Sequence, residues 1–330
     1  MEALQREPVL ESAPEVTTSR RPLSRLDCQE YEHPFDRQAL DALEGTPGLE
    51  FLIRKVNEHG LERLMRIQYT GSNVKVTPRN MPEVHSLLEE VCEVVHLSPL
   101  PDLYIEPGGE INALTAGVER PIIVLHCGCV DLLTRDELCF VIAHEVGHIK
   151  SNHCLYHQLG QVLPFVGRVV GAATFGIGGL VSAGLEIALN HWERMSEFTA
   201  DRAGLLGCQS STAAITAMLK WAGLPHQYFN KVSAESFIEQ ARQFEEYSFD
   251  KLDRLAKIVG SMGKNHPWTV MRAAELIRWI DSGVYQRILD LQTAALPPLQ
   301  PVASLRFCPH CGTRVAQAGT FCAGCGGRMA

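Results

Sequence analysis

His144-Glu145-Val146-Gly147-His148 constrains this chain more than any other stretch. On a helix, residues four apart share a face, so both imidazoles can grip one metal ion. Glu145 then lies beside that metal, where it can take a proton from a metal-bound water. Read this way, the pentapeptide needs a helix and a second element that completes the ligand set; the alternative is a buried helix with two satisfied histidines and a surface glutamate. The helix is legible upstream. Thr134-Arg135-Asp136-Glu137 reads T-x-x-E, a capping box in which side chains and backbone satisfy one another at a helix start. Residues 138–143 follow, apolar and without Gly or Pro, and set the motif about two turns into the helix.

Catalytic zinc takes three protein side chains and leaves one position for water. The candidate third ligand lies in Glu193-Arg194-Met195-Ser196-Glu197-Phe198-Thr199-Ala200-Asp201-Arg202. Glu197 and Asp201 are again four apart, on one helical face. Glu197 suits the metal, beside His144 and His148. Asp201 is placed to accept the free ring N–H of a ligand histidine, which fixes its tautomer and orientation. The competing reading, a solvated face on which these acids pair with Arg194 and Arg202, loses beside H-E-x-x-H.

Together these residues resemble the gluzincin metalloendopeptidases of the HtpX and CAAX-prenyl-protease family. Asn112-Ala113 resembles that family's N-A motif on the edge strand beside the cleft, and residues 121–125 its preceding strand. Arg194-x-x-Glu197-x-x-Ala200-Asp201-Arg202 matches its second metal helix. Asn265-His266-Pro267 with Arg272 is similar to its late H-P…R element. The likeness spans roughly residues 34–282. It implies a zincin-type catalytic domain. It also implies that His266 and Arg272 stabilise the oxyanion of a tetrahedral intermediate and that Asn112 holds the substrate backbone, beside Ala113. One departure is visible: the N-A motif continues Leu114-Thr115, where the family has an aromatic and a small residue.

A second metal signal closes the chain. Cys308-x-x-Cys311 and Cys322-x-x-Cys325 sit in near-repeats, Phe-Cys-Pro-His-Cys-Gly and Phe-Cys-Ala-Gly-Cys-Gly. Four thiolates at this spacing make a closed structural zinc site, the zinc-ribbon pattern, whose metal supplies the folding energy that a missing core cannot. Disulfides and a redox dithiol are the weaker alternatives. The ribbon's basic residues, Arg306, Arg314 and Arg328, are too few for nucleic acid. A protein partner or a purely structural role is preferred, and the overall net charge of −8 also argues against nucleic acid.

The remaining cysteines, Cys28, Cys92, Cys127, Cys129, Cys139, Cys154 and Cys208, show no disulfide framework and read as free thiols in a reducing compartment. The polar start of the chain lacks a signal peptide's apolar run, so the cytoplasm is the expected address. Residues 1–33 read as a flexible tail, 34–290 as the metallopeptidase domain, 291–305 as a Pro-rich linker and 306–330 as the ribbon. The expected fold is α+β and mostly helical, with a small sheet beside the catalytic helix. Helices are expected at 38–44, 48–59, 82–95, 212–222, 233–247, 250–261 and 268–282, with Gly223 and Gly283 as caps. Strands are expected at 65–69, 103–105 and 122–125.

Residues 169–185 carry no charge and hold Gly171, Gly176, Gly178, Gly179 and Gly184. As a helix the run reaches about 25 Å, short of the roughly 30 Å of hydrocarbon in a bilayer. A buried or membrane-surface loop-helix is preferred to a membrane hairpin, and 163–189 is the segment through which any membrane contact would be made.

The chemistry that fits these signals is a zinc-dependent endopeptidase acting on proteins or peptides, with one catalytic and one structural zinc. Two other classes stay open: a non-catalytic zinc scaffold, against which the intact Glu145 speaks, and a membrane-bound processing protease, which needs more spans than the chain offers.

Overall fold

The computed structural model describes residues 20–23, 25–49, 53, 61–160, 163, 177–246, 268–293, 306–307 and 314–315. The chain divides into two compact units, Met1–Gln292 and Thr293–Ala330.

Helices dominate the first unit. α1 (Cys28–Tyr31) and α2 (Pro34–Glu44) open it; α2 has Pro34 in its first turn, where a missing N–H costs nothing. α3 (Leu61–Ser72) runs into the short β1 (Val74–Lys75), followed by α4 (Pro82–Val94). β2 (Asp102–Glu106), β3 (Ala113–Ala116) and β4 (Ile122–His126) build the sheet with β1. Its order is β1-β2-β4-β3: β2 and β4 are parallel, the two outer pairs antiparallel, and β3 lies at the edge. α5 (Cys127–Leu132) then leads to the central helix α6 (Arg135–Lys150). The second long helix is α7 (Ile177–Cys208), followed by α8 (Ser211–Trp221), α9 (Ala234–Glu246), α10 (Thr269–Asp281) and α11 (Val284–Thr293).

The capping box forms as read: the Glu137 amide donates to Thr134 Oγ1, and the Thr134 amide to the Glu137 carboxylate at 2.8 Å. Every residue of α6 from Glu137 to His148 is buried. A helix apolar on all sides must be enclosed, and α4, α7, α8 and β3 enclose this one. Gly223 and Gly283 follow α8 and α10 with φ of +104° and +75°, the left-handed conformation in which glycine ends a helix at no steric cost.

Small residues set how closely α6 and α7 approach. A Cβ on Gly147 would lie 2.5 Å from the Ala203 Cβ, and one on Gly207 2.4 Å from the Ala143 Cβ. Both are far inside van der Waals contact, so the helices touch backbone to side chain there. Gly147→Ala is therefore expected to cost about 1–3 kcal/mol by overpacking. It should also part the two metal-facing rows, lowering the melting temperature and the zinc content together. A variant that melts like wild type and keeps its zinc would contradict this account of the crossing.

Several expectations are corrected. Residues 65–69 are helical within α3, not a strand. Met65, Ile67 and Tyr69 alternate, but Met65 and Tyr69 are also four apart, and it is these two that pack on Tyr104, Ala116, Ile122 and Val124 while Ile67 stays 60% exposed. Residues 20–33 are not a loose tail: Leu23, Leu26 and Tyr31 enter the core, the Leu23 amide donates to the Val94 carbonyl, and Arg20 pairs with Glu90 and Asp136. A few apolar side chains in a polar run suffice to anchor it. Residues 177–185 begin α7, with Leu185 and Leu189 buried against Ala39, Leu43 and Trp192. No helix among the described residues is long and apolar enough to cross a membrane. The expected helix at 250–261 and the linker beyond residue 293 lie outside the described residues, as does nearly all of that at 48–59.

Candidate active site

α6 and α7 bring three donors to one point. His144 Nε2 and His148 Nε2 lie 3.2 Å apart, and the Glu197 carboxylate is 3.5 Å from the first and 3.6 Å from the second. All three residues are buried. Zinc bonds of about 2.05 Å in a tetrahedron separate neighbouring donors by about 3.3 Å. The spacing and the two-imidazole, one-carboxylate chemistry therefore fit one zinc ion.

Partners behind the rings set their tautomers. Asp201 Oδ1 is 3.1 Å from His144 Nδ1, which leaves Nε2 for the metal. Burial alone would depress His144, but Asp201 and Glu197 outweigh it and lift its pKa to about 9. Proton and metal compete for the same nitrogen. His148 goes the other way: burial first, then the nearby imidazoles of His157 and His144, push its pKa well below the ordinary value. That shift favours the neutral ring, the form that binds a metal. Behind His148 stands His153, its Nδ1 3.0 Å from His148 Nδ1.

Glu145 faces the same cleft and is 3% exposed. Its Oε2 accepts a 2.6 Å hydrogen bond from Thr115 Oγ1. The departure at Leu114-Thr115 thus has a structural consequence, a hydroxyl on the motif's carboxylate. The cleft measures about 200 Å³. Asn112 and the first residues of β3, Ala113, Leu114 and Thr115, supply one wall; Trp221, from the end of α8, supplies another. Asn112 and Ala113 thus stand at the cleft.

Arg272, from the first turn of α10, does not line the cleft. Its Nε and Nη2 donate to the two oxygens of Asp201 at 2.8 and 2.6 Å, and Nη1 lies 3.1 Å from Glu197 Oε2. The guanidinium also covers the Trp221 ring at 4.7 Å. Every nitrogen of the group faces a carboxylate, either the candidate ligand Glu197 or Asp201 behind His144, an arrangement unlike the oxyanion role implied by resemblance. Burial would raise the Asp201 pKa, but the Arg272 charge and its hydrogen bonds hold it below the ordinary carboxylate value.

His266 and the four cysteines Cys308, Cys311, Cys322 and Cys325 lie outside the described residues. In the second unit, β5 (Arg306–Phe307) pairs antiparallel with β6 (Arg314–Val315), on either side of the first cysteine pair.

Sequence reasoning missed Thr115, His153 and Trp221. For Thr115 the signal was present, as the polar residue where the motif has a small one. For the other two, only the turn after α6 and the packing of α8 could reveal the contact.

The model of "Peptidase family M48" matches residues 78–280. The plastoglobule-localized metallopeptidase 48, chloroplastic, of Arabidopsis thaliana is 31% identical over 266 residues, covering 80% of this chain and 76% of that protein. Protease HtpX of Pasteurella multocida is 29% identical over 183 residues, 47% of this chain and 64% of its own. A protease HtpX homolog of Salinibacter ruber is 35% identical over 91 residues, 27% of this chain and 33% of its own. No solved structure gives a significant match. With most of its length matched by that family model, and with the His144, His148 and Glu197 cluster at the crossing of two helices, this chain belongs to peptidase family M48 and is a zinc-dependent metallopeptidase.

Proposed function

We propose that the chain is an endopeptidase of the gluzincin type, in which His144, His148 and Glu197 hold the catalytic zinc and Glu145 is the general base. The observation that carries this is the convergence of those three donors, with Glu145 beside them, at the floor of one cleft. Zinc bound there supplies Lewis acidity and makes water nucleophilic near neutral pH. Glu145 accepts the proton of the attacking water and later delivers it to the leaving amine. Thr115 holds the Glu145 carboxylate toward the cleft. Asp201 holds His144 in the tautomer that presents Nε2. Arg272 is a positioning residue, neutralising the ligand Glu197 and the Asp201 carboxylate behind His144. His266 remains the candidate oxyanion donor on the strength of the resemblance.

The substrate class is protein or peptide. Strand β3 lies at the sheet edge, and among the described residues it pairs with β4 alone. An extended peptide laid along it would gain main-chain hydrogen bonds, with Asn112 and Ala113 at the contact. A role in quality control or regulated proteolysis follows from the resemblance. The four cysteines are assigned a structural zinc and a protein-facing role, a reading supported by the hairpin that brackets Cys308 and Cys311. Within the assigned cytoplasmic address, the burial of Leu185 and Leu189 favours packing over lipid contact for that part of 163–189.

Cleavage of casein or a peptide library, with and without phenanthroline, tests the activity. Zinc content tests the sites: about two equivalents per chain are expected, falling to about one in His148→Ala. Casein cleavage that survives full chelation would overturn the zinc mechanism. Unchanged zinc in His148→Ala would overturn the ligand assignment.

A further inference from the structure

Behind the second histidine of the motif, a chain of buried polar groups leads away from the cleft. It begins at the turn that ends α6. Asn152 has φ +58°, a left-handed conformation that asparagine tolerates. The His153 amide donates to the His148 carbonyl at 2.9 Å, and the Asn152 amide to the Ile149 carbonyl at 3.1 Å. These are the two bonds of a Schellman motif. That motif sets the second residue past the helix cap against the third residue from the helix end, commonly as an apolar contact. Here those residues are His153 and His148, and the contact is a hydrogen bond.

The chain continues. His153 Nε2 lies 3.2 Å from Asp36 Oδ2, and Asp36 is 1% exposed. Thr199 Oγ1 donates to the same oxygen at 2.6 Å, and the His33 amide donates to Thr199 Oγ1 at 3.0 Å. Thr199 stands on α7 between Glu197 and Asp201. Asp36 comes from α2, well before the family match begins at residue 78. A neutral His153 that donates Nε2–H to the Asp36 carboxylate must accept at its bare Nδ1, so His148 is the ring that donates, through Nδ1–H. This direction leaves His148 Nε2 bare toward Glu197 and His144.

We propose that Asp36 and His153 form with His148 a hydrogen-bonded relay that fixes His148 as a metal ligand, and that α2 is thereby part of the metal site. The inference rests on the assignment of His148 as a zinc ligand. It makes the site symmetric in its support: each ligand histidine leans on an aspartate, His144 directly through Asp201 and His148 through His153. Thr199 ties the distal aspartate to the helix that carries Glu197, so the docking of α2 and the shape of the site are coupled.

The test is the zinc affinity of the full chain by chelator competition, site by site, with His148→Ala defining the catalytic contribution. Asp36→Asn keeps the shape of the residue and removes its charge. His153→Gln removes the imidazole. Each is expected to weaken the catalytic site about 10–100-fold and to spare the other zinc. Asp41→Asn, on the exposed face of the same helix, should bind as wild type does. The double variant separates a relay from general loosening: links in series lose no more together than the worse one alone, whereas independent packing defects multiply. Catalytic-site affinity within about twofold of wild type in Asp36→Asn, or multiplying losses, would overturn the relay. If Asp36→Asn does not fold, His153→Gln decides alone, by the same loss or by retained affinity. A wild-type protein with no zinc lost in His148→Ala would instead sink the ligand assignment on which the relay depends.

Discussion

Glu145→Gln is expected to keep its catalytic zinc and to lose about 10²–10⁴-fold in kcat, the range carried by a positioned general base. That corresponds to about 3–5 kcal/mol of transition-state stabilisation. The substitution is nearly isosteric. Its amide can still accept from Thr115 Oγ1, which now holds the carboxylate at 2.6 Å, so the side chain should stay in place. It cannot take a proton from water or return one to the leaving amine. Glu145 does not belong to the donor cluster of His144, His148 and Glu197, so metal content should not change. The measurement is kcat on casein beside zinc per chain. A variant with full metal and the wild-type rate would remove Glu145 from the chemistry. A variant that lost its zinc would make the carboxylate structural instead.

Arg272→Met should be the most damaging single change to the fold. Arg272 is 2% exposed and contacts two carboxylates, Asp201 and Glu197, that are 1% and 2% exposed. Methionine fills a similar volume but leaves two buried carboxylates without the guanidinium they share. Removing one partner of a buried charge network costs about 3–5 kcal/mol, because the remaining charge is uncompensated. A bound cation would offset part of that loss, so the melting temperature should fall furthest in chelator-treated protein. Zinc content should fall as well, because Asp201 would no longer be held against His144. The oxyanion role implied by resemblance predicts a different pattern: Arg272→Met would melt normally, keep its zinc and lose only kcat. The buried geometry favours the first outcome, and thermal melts with and without chelator decide between them.

Much of this is legible in the sequence. The capping box at Thr134 and the apolar run after it announced a helix, because cap and periodicity are local properties. Gly223 and Gly283 announced helix ends for the same reason. Residues 65–69 read as a strand and fold as a helix because alternation and four-residue spacing coexist in so short a segment. Only the packing of Met65 and Tyr69 on the sheet chose between them. The N-terminal run looked like a tail because Leu23, Leu26 and Tyr31 are few among polar residues. Their burial is decided by a groove that other elements form.

For the site, the sequence by itself determined the donors and their rows: His144 with His148, and Glu197 with Asp201, each pair four residues apart on its own helix. Spacing along one helix is set by backbone geometry, so a local pattern is enough. The tertiary structure alone decided what stands behind those rows. Gly147 and Gly207 let two helices approach until three donors share a point. Arg272 turned from the cleft to the carboxylates. Asp36, more than a hundred residues away in the chain, reached the back of His148 through His153. Contacts of that kind depend on how buried surfaces fit and how buried charges find partners, and no local pattern encodes either.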